Sequence, residues 1–122
     1  MLQREPAVER LVRFVAALAT ARDGDEDGDE DAFAEALLGL LVPLTGASDK
    51  AVRFRSCQLV AAVLNGLTTE AGLTDDLYLQ LSDAMTERLR DKAPAVRAEA
   101  SRALARLQVR PSRFELHAPC LA

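Results

Sequence analysis

The sequence predicts an all-α solenoid, helix pairs stacked along an axis rather than a core closed around a pocket. Three observations predict it. A valine recurs at Val8, Val52 and Val96, 44 residues apart, and each opens a stretch of one design: VERLVRFVAAL, VRFRSCQLVAAVL and VRAEASRALARL. In the last two copies Val52, Ser56, Leu59, Val60 and Val63 align with Val96, Ala100, Ala103, Leu104 and Leu107, spacings that fall on one face of a 3.6-residue helix. The composition agrees: hydrophobic residues make up 49% of the 122, aromatics only 4%, and β-branched runs are missing, which favours helix over sheet. A period in the forties with helical patterning marks HEAT or armadillo arrays.

Each element has its own reason. The first helix is expected over 6–21, with Val8, Leu11, Val12, Val15 and Leu18 on its apolar face. A second over 32–44 carries Phe33, Leu37, Leu40, Leu41 and Leu44, and a third over 50–66 carries the Val52 face. The fourth, over 75–91, has Leu77, Leu81, Ala84, Met85 and Leu89. The fifth runs over 94–108 and begins at Pro94, a residue tolerated in the first turn of a helix and not in its interior. Five helices make a half repeat and two complete ones, so residues 1–108 form the repeat segment. Residues 109–122 (VRPSRFELHAPCLA) show neither helical period nor repeat phase and are read as an irregular tail, either the end of a truncated or mis-spliced gene model or a genuine divergent tail.

Charge is unevenly placed. The formal net charge is −4, yet Asp23 to Asp31 (DGDEDGDED) holds seven of the 19 acidic residues; outside it 15 basic residues face 12 acidic ones. Like charges with two glycines repel and stay solvated, so 22–31 is expected to be an acidic, unstructured loop. Asp23, Asp25, Asp27 and Gly28 do fit the first, third, fifth and sixth positions of an EF-hand calcium loop. The twelfth position, where a bidentate glutamate belongs, is Ala34, with Glu35 one residue late. That slip removes the ligand, and no metal site is expected.

Catalytic constellations are missing from the pattern. His117 is the only histidine and lies in the tail beside Pro119 and Cys120, with no residue to orient it. The sequence holds no GxGxxG, Walker A, HExxH or CxxC motif. The expectation is a non-enzyme with no cofactor and no small-molecule substrate. No apolar run nears the roughly 20 residues that span a bilayer, so no membrane partner is expected. Cys57 and Cys120 give no disulfide framework, which makes a reduced intracellular compartment the default.

The middle of the chain carries a more specific signal. SDKAVRFRSCQLVAAVLNGL, followed by DDLYLQLSDAMTERLRDKAPAVRAEASRALARLQ, resembles the N-terminal HEAT region of the condensin subunit 3 family, a non-SMC component of condensin. AVRFRSCQLV is the most specific part, and the resemblance spans roughly residues 8–108. It implies a HEAT solenoid that binds the kleisin and SMC subunits of condensin, with double-stranded DNA held independently of sequence. The implied setting is the nucleus and chromosome, in mitotic and meiotic chromosome condensation. A repeat segment alone also fits a protein–protein adaptor without DNA binding, because fold does not fix function.

The resemblance also assigns roles. Arg53 and Arg97, each just after a repeat valine, match a position that in HEAT repeats belongs to an Asp–Arg ladder between turns, and Asp49 and Asp91 supply the acids. Stepping about 100° per residue, Arg55, Arg102 and Arg106 fall opposite the apolar face and are candidates for DNA phosphates. Arg88, Arg90 and Lys92 cluster at a helix C-terminus and join them as candidates, although the helix dipole alone favours cations there. Phe54 is expected to pack on the next repeat, with the kleisin as the alternative.

Overall fold

The computed structural model describes residues 6–20, 29–67 and 73–108. They form five helices in chain order and no strand: α1 (Pro6–Thr20), α2 (Asp29–Leu44), α3 (Lys50–Gly66), α4 (Asp75–Arg88) and α5 (Pro94–Gln108). The all-α solenoid of about two and a half repeats is therefore the observed architecture.

Local chemistry sets the boundaries. Asp49 caps α3, its Oδ1 accepting from the Ala51 and Val52 amides at 2.7 and 3.3 Å. Thr74 caps α4 through the Leu77 amide at 3.2 Å, and Asp75 and Asp76 occupy the first turn, where the positive end of the helix dipole favours them. Pro94 opens α5, where its missing amide hydrogen loses no bond. Residues 45–49 and 89–93 are five-residue turns that fold α2 back on α3 and α4 back on α5.

The pairs stack in two layers. α3 lies between α1 and α5 in one layer, and α2 packs beside α4 in the other. The flanked helix is buried on most sides: Phe54, Ser56, Cys57, Gln58, Val60, Ala61, Val63 and Leu64 all lie inside. At a typical 25 cal/mol per Å², such an all-round helix anchors its neighbours. Phe54, 1% exposed, lies within the chain's own hydrophobic core.

Three expectations are corrected. The acidic stretch is not loop throughout, because Asp29–Asp31 form the first turn of α2. The rest of that loop, the calcium-like pattern at 23–28 and the tail at 109–122 lie outside the described residues. On α2 the buried stripe is Ala34, Leu38 and Leu41, continued by Thr45 in the turn, while Phe33, Leu40 and Leu44 face outward. On α1 Val12 and Ala16 are the buried residues among those described, and Leu11 and Leu18 are 59% and 55% exposed; Val52 on α3 is also exposed. The apolar faces share one physical reason. A helix buries the sides that have neighbours, and α1 has none on its outer side among the described residues.

Candidate binding interface along the turns

The turns at 45–49 and 89–93 lie side by side, and the ladder links them. Arg53 Nε donates to Asp91 Oδ2 at 2.7 Å and Nη2 to Oδ1 at 3.1 Å, a bidentate fork across the repeat boundary. Its Nη1 donates to the carbonyls of Ala47 and Ser48 at 3.1 and 2.8 Å, closing its own turn. Asp91 also accepts from Arg88 Nη1 at 2.9 Å and from the Ala93 amide at 2.9 Å. Burial alone would raise the Asp91 carboxyl, but hydrogen bonds from Arg53, the Ala93 amide and Arg88, together with the Arg53 charge, outweigh it and hold it at about 2. The same ion pair pushes the Arg53 guanidinium up. Arg97 repeats the carbonyl grip one repeat on, with Nη1 donating to Asp91 O at 2.8 Å and Lys92 O at 3.3 Å. Asp49 pairs with no arginine among the described residues; it is the α3 cap.

A solvent-facing strip of Arg55, Arg102 and Arg106 is not what the structure holds. Arg55 is half-buried against α1, paired to Glu9 at 3.2 Å, bonded to Gln58 Oε1 at 2.8 Å and stacked 4.9 Å from the Phe54 ring centroid. Gln58 Nε2 donates to Glu9 Oε1 at 2.9 Å, which closes a three-residue clasp between α1 and α3. Arg106 donates to the Leu67 carbonyl at 2.9 Å. Arg102 is exposed but paired to buried Glu99 at 2.7 Å. A single-helix projection locates the apolar arc and leaves out the helices stacked on the other sides.

The remaining basic residues meet at the turn edge. Lys50 and Lys92 line a groove of about 730 Å³ together with Ser48, Arg53, Ala93 and Pro94. An adjoining hollow of about 280 Å³ is bordered by Arg88, Arg90, Asp91 and Lys92. Lys50, Arg90 and Lys92 are exposed, and their side chains have no hydrogen-bond or ion-pair partner among the described residues. Sequence reasoning missed Lys50, which its helix N-terminal position disguised, and it missed the Glu9 clasp. The signal for the clasp was available: Glu9, Arg53 and Arg97 share one repeat position, acidic in the first copy and basic in the others. No group of three or more potential metal ligands occurs among the described residues, and no described helix is long and apolar enough to cross a membrane.

Stacked helix pairs with an arginine fork bridging successive turns define the class, a HEAT-repeat solenoid. The comparisons go further. The chain is 44% identical over 112 residues to condensin complex subunit 3 of Xenopus laevis and 37% identical over 111 residues to that of Homo sapiens, each match covering 87% of this chain and 11% of the relative. The chain also resembles a solved structure, the condensin Cnd3–Cnd2 subcomplex of S. pombe, with 27% identity and a TM-score of 0.57 over 84% of this chain and 15% of that one. No protein-family model matches. The matched segment belongs to the condensin subunit 3 family, and the chain spans about a ninth of the length of the curated relatives it matches.

Proposed function

We propose that the chain serves as a non-catalytic HEAT-repeat segment of condensin, binding the kleisin and SMC assembly and the backbone of double-stranded DNA during mitotic and meiotic chromosome condensation, at the chromosome in the nucleus. The family membership supports the condensin setting. The observation that carries the DNA reading is the turn edge, where Lys50, Arg90 and Lys92 stand exposed beside adjoining grooves. Flexible cations along a groove read phosphate charge and not base sequence. Among the candidates Arg90 and Lys92 are the readiest, and Arg102 follows at 55% side-chain exposure. Arg55, Arg88 and Arg106 must first leave Glu9, Asp91 and Leu67.

The test is duplex binding by the full chain assembled with its kleisin. Lys50→Glu with Arg90→Glu and Lys92→Glu should weaken binding to all sequences alike and make the log–log salt slope shallower by roughly three. Unchanged affinity and slope, with kleisin still bound, would leave the adaptor reading without DNA contact.

A further inference from the structure

The end of α3 carries a dipeptide chemically unlike the rest of the chain. Asn65 is the sole asparagine of the sequence, and Gly66 follows it. The side-chain carbon of an asparagine can close a five-membered ring with the next backbone nitrogen. Glycine in second place leaves that nitrogen uncrowded by a β-carbon and the backbone free to turn. Asn–Gly is therefore the pair in which a chain most readily attacks its own side chain.

The fold both presents this pair and restrains it. Asn65 and Gly66 are exposed on the last turn of α3, and Leu67 after them is already extended, with φ −72° and ψ 130°. Asn65 Nδ2 donates to the Ala61 carbonyl at 2.7 Å, which draws the amide back along the helix. A helical backbone at Asn65 also turns the Gly66 nitrogen away from Cγ. Ring closure needs the turn to open, and a helix opens at least cost at its ends. Opening here has consequences. The last turn of α3 contains no basic residue, so a new carboxylate would meet the negative end of the helix dipole with nothing in its own helix to offset it. The Leu67 carbonyl, next in the chain, accepts from Arg106 Nη2 at 2.9 Å and links α3 to α5.

We propose that Asn65–Gly66 is a self-modification site, at which deamidation opens the end of α3 irreversibly and loosens the Leu67–Arg106 link. The Gly66 nitrogen gives up its proton and attacks Asn65 Cγ. The N–Cγ bond forms, the Cγ–Nδ2 bond breaks, and Nδ2 leaves as ammonia, carrying that proton in the net balance. Water then opens the succinimide. Addition at Cγ restores the main chain with aspartate at 65, and addition at the Asn65 carbonyl carbon routes the main chain through Cγ as isoaspartate. Either product gains a negative charge, and the second adds a carbon to the backbone that a helical turn does not accommodate. The inference rests on the end of α3 and is independent of the condensin and DNA readings.

The experiment ages the full 122-residue chain in mildly alkaline buffer and follows ammonia release and the mass of the tryptic peptide 56–88. The Asp23–Gly24 and Asp27–Gly28 pairs lie outside that peptide and isomerise without losing ammonia. Ammonia should appear in step with conversion of the peptide to an aspartate and isoaspartate pair. The rate should be several-fold below that of the urea-unfolded chain and insensitive to urea below the unfolding transition, as local opening requires. Gly66→Ala should nearly abolish the reaction. The aged chain should melt several degrees lower, and Asn65→Asp, which has the charge without the rerouted backbone, should fall between aged and fresh. Arg106→Ala should lower the melting temperature of the fresh chain more than that of the aged one. An unreactive folded chain, a rate that climbs with the globally unfolded fraction, or full reactivity in Gly66→Ala would each overturn the proposal. So would equal rates in the folded and unfolded chain, or an Arg106→Ala loss that is the same before and after ageing.

Discussion

Asp91 accepts two bonds from Arg53, one from Arg88 and one from the Ala93 amide, while its side chain is only 2% exposed. Its carboxyl sits at about 2 in the folded chain, below the ordinary carboxylate range of about 4. A depressed group stabilises the fold above its unfolded pKa, so the contribution is full above about pH 5. It is lost as the pH falls through 4 towards 2. Asp91→Ala should cost about 2 kcal/mol at neutral pH and lower the melting temperature by roughly 10 °C. It should also flatten the melting-temperature curve between pH 4 and pH 2; if the variant falls there as steeply as the parent, other carboxylates carry the acid sensitivity. Cys57 reports the reverse case, a thiol pushed up to about 12 chiefly by burial. In a Cys120→Ser background, alkylation of Cys57 at pH 8 should proceed at the unfolding rate. Fast labelling of the native chain would mean that α3 opens locally.

At the level of elements, α3 shows how much could be read from the pattern and why the rest could not. The helix boundaries and the Arg53–Asp91 rung were legible because caps, prolines and a fixed period are local in sequence. Which face is buried was less so. On α2 two helical stripes of apolar residues share Leu41, the expected Phe33–Leu37–Leu40–Leu41–Leu44 and the smaller Ala34–Leu38–Leu41, and periodicity selects the bulkier one. The structure buries the smaller because close helix approach to α3 and α4 favours it. The candidate DNA residues suffered most, since pairing of Arg55 with Glu9 spans 46 residues and leaves no local trace. The clasp can be measured. A double-mutant cycle on Glu9→Ala and Arg55→Ala in urea should give a coupling of about 0.5–1 kcal/mol, as expected for a partly exposed pair. A value near zero would reduce the clasp to surface charge.

The whole molecule is a short stack in which most stability comes from interfaces between adjacent pairs. Leu64 is 1% exposed within the helix that touches both flanking helices of its layer. Leu64→Ala should destabilise the entire described segment by about 2–5 kcal/mol, seen as one cooperative transition. Phe14, 63% exposed on α1, should tolerate Phe14→Ser with a change within about 0.5 kcal/mol. A chain that unfolds in two separate steps after Leu64→Ala would show that the pairs on either side of α3 are independent.

The row of Leu11, Phe14 and Leu18 along α1 has a practical consequence for anyone handling this protein. Three large greasy side chains at i, i+3 and i+7 make a sticky seam on one flank, with exposed Arg10 and Arg13 close beside it. Such a seam governs colloidal behaviour before it governs folding. Purified samples should be retained on phenyl resin, brighten a hydrophobic dye while fully native, and cloud at high concentration. Painting the seam polar, with Leu11→Gln, Phe14→Ser and Leu18→Gln, should raise the solubility limit and leave the melting point where it was.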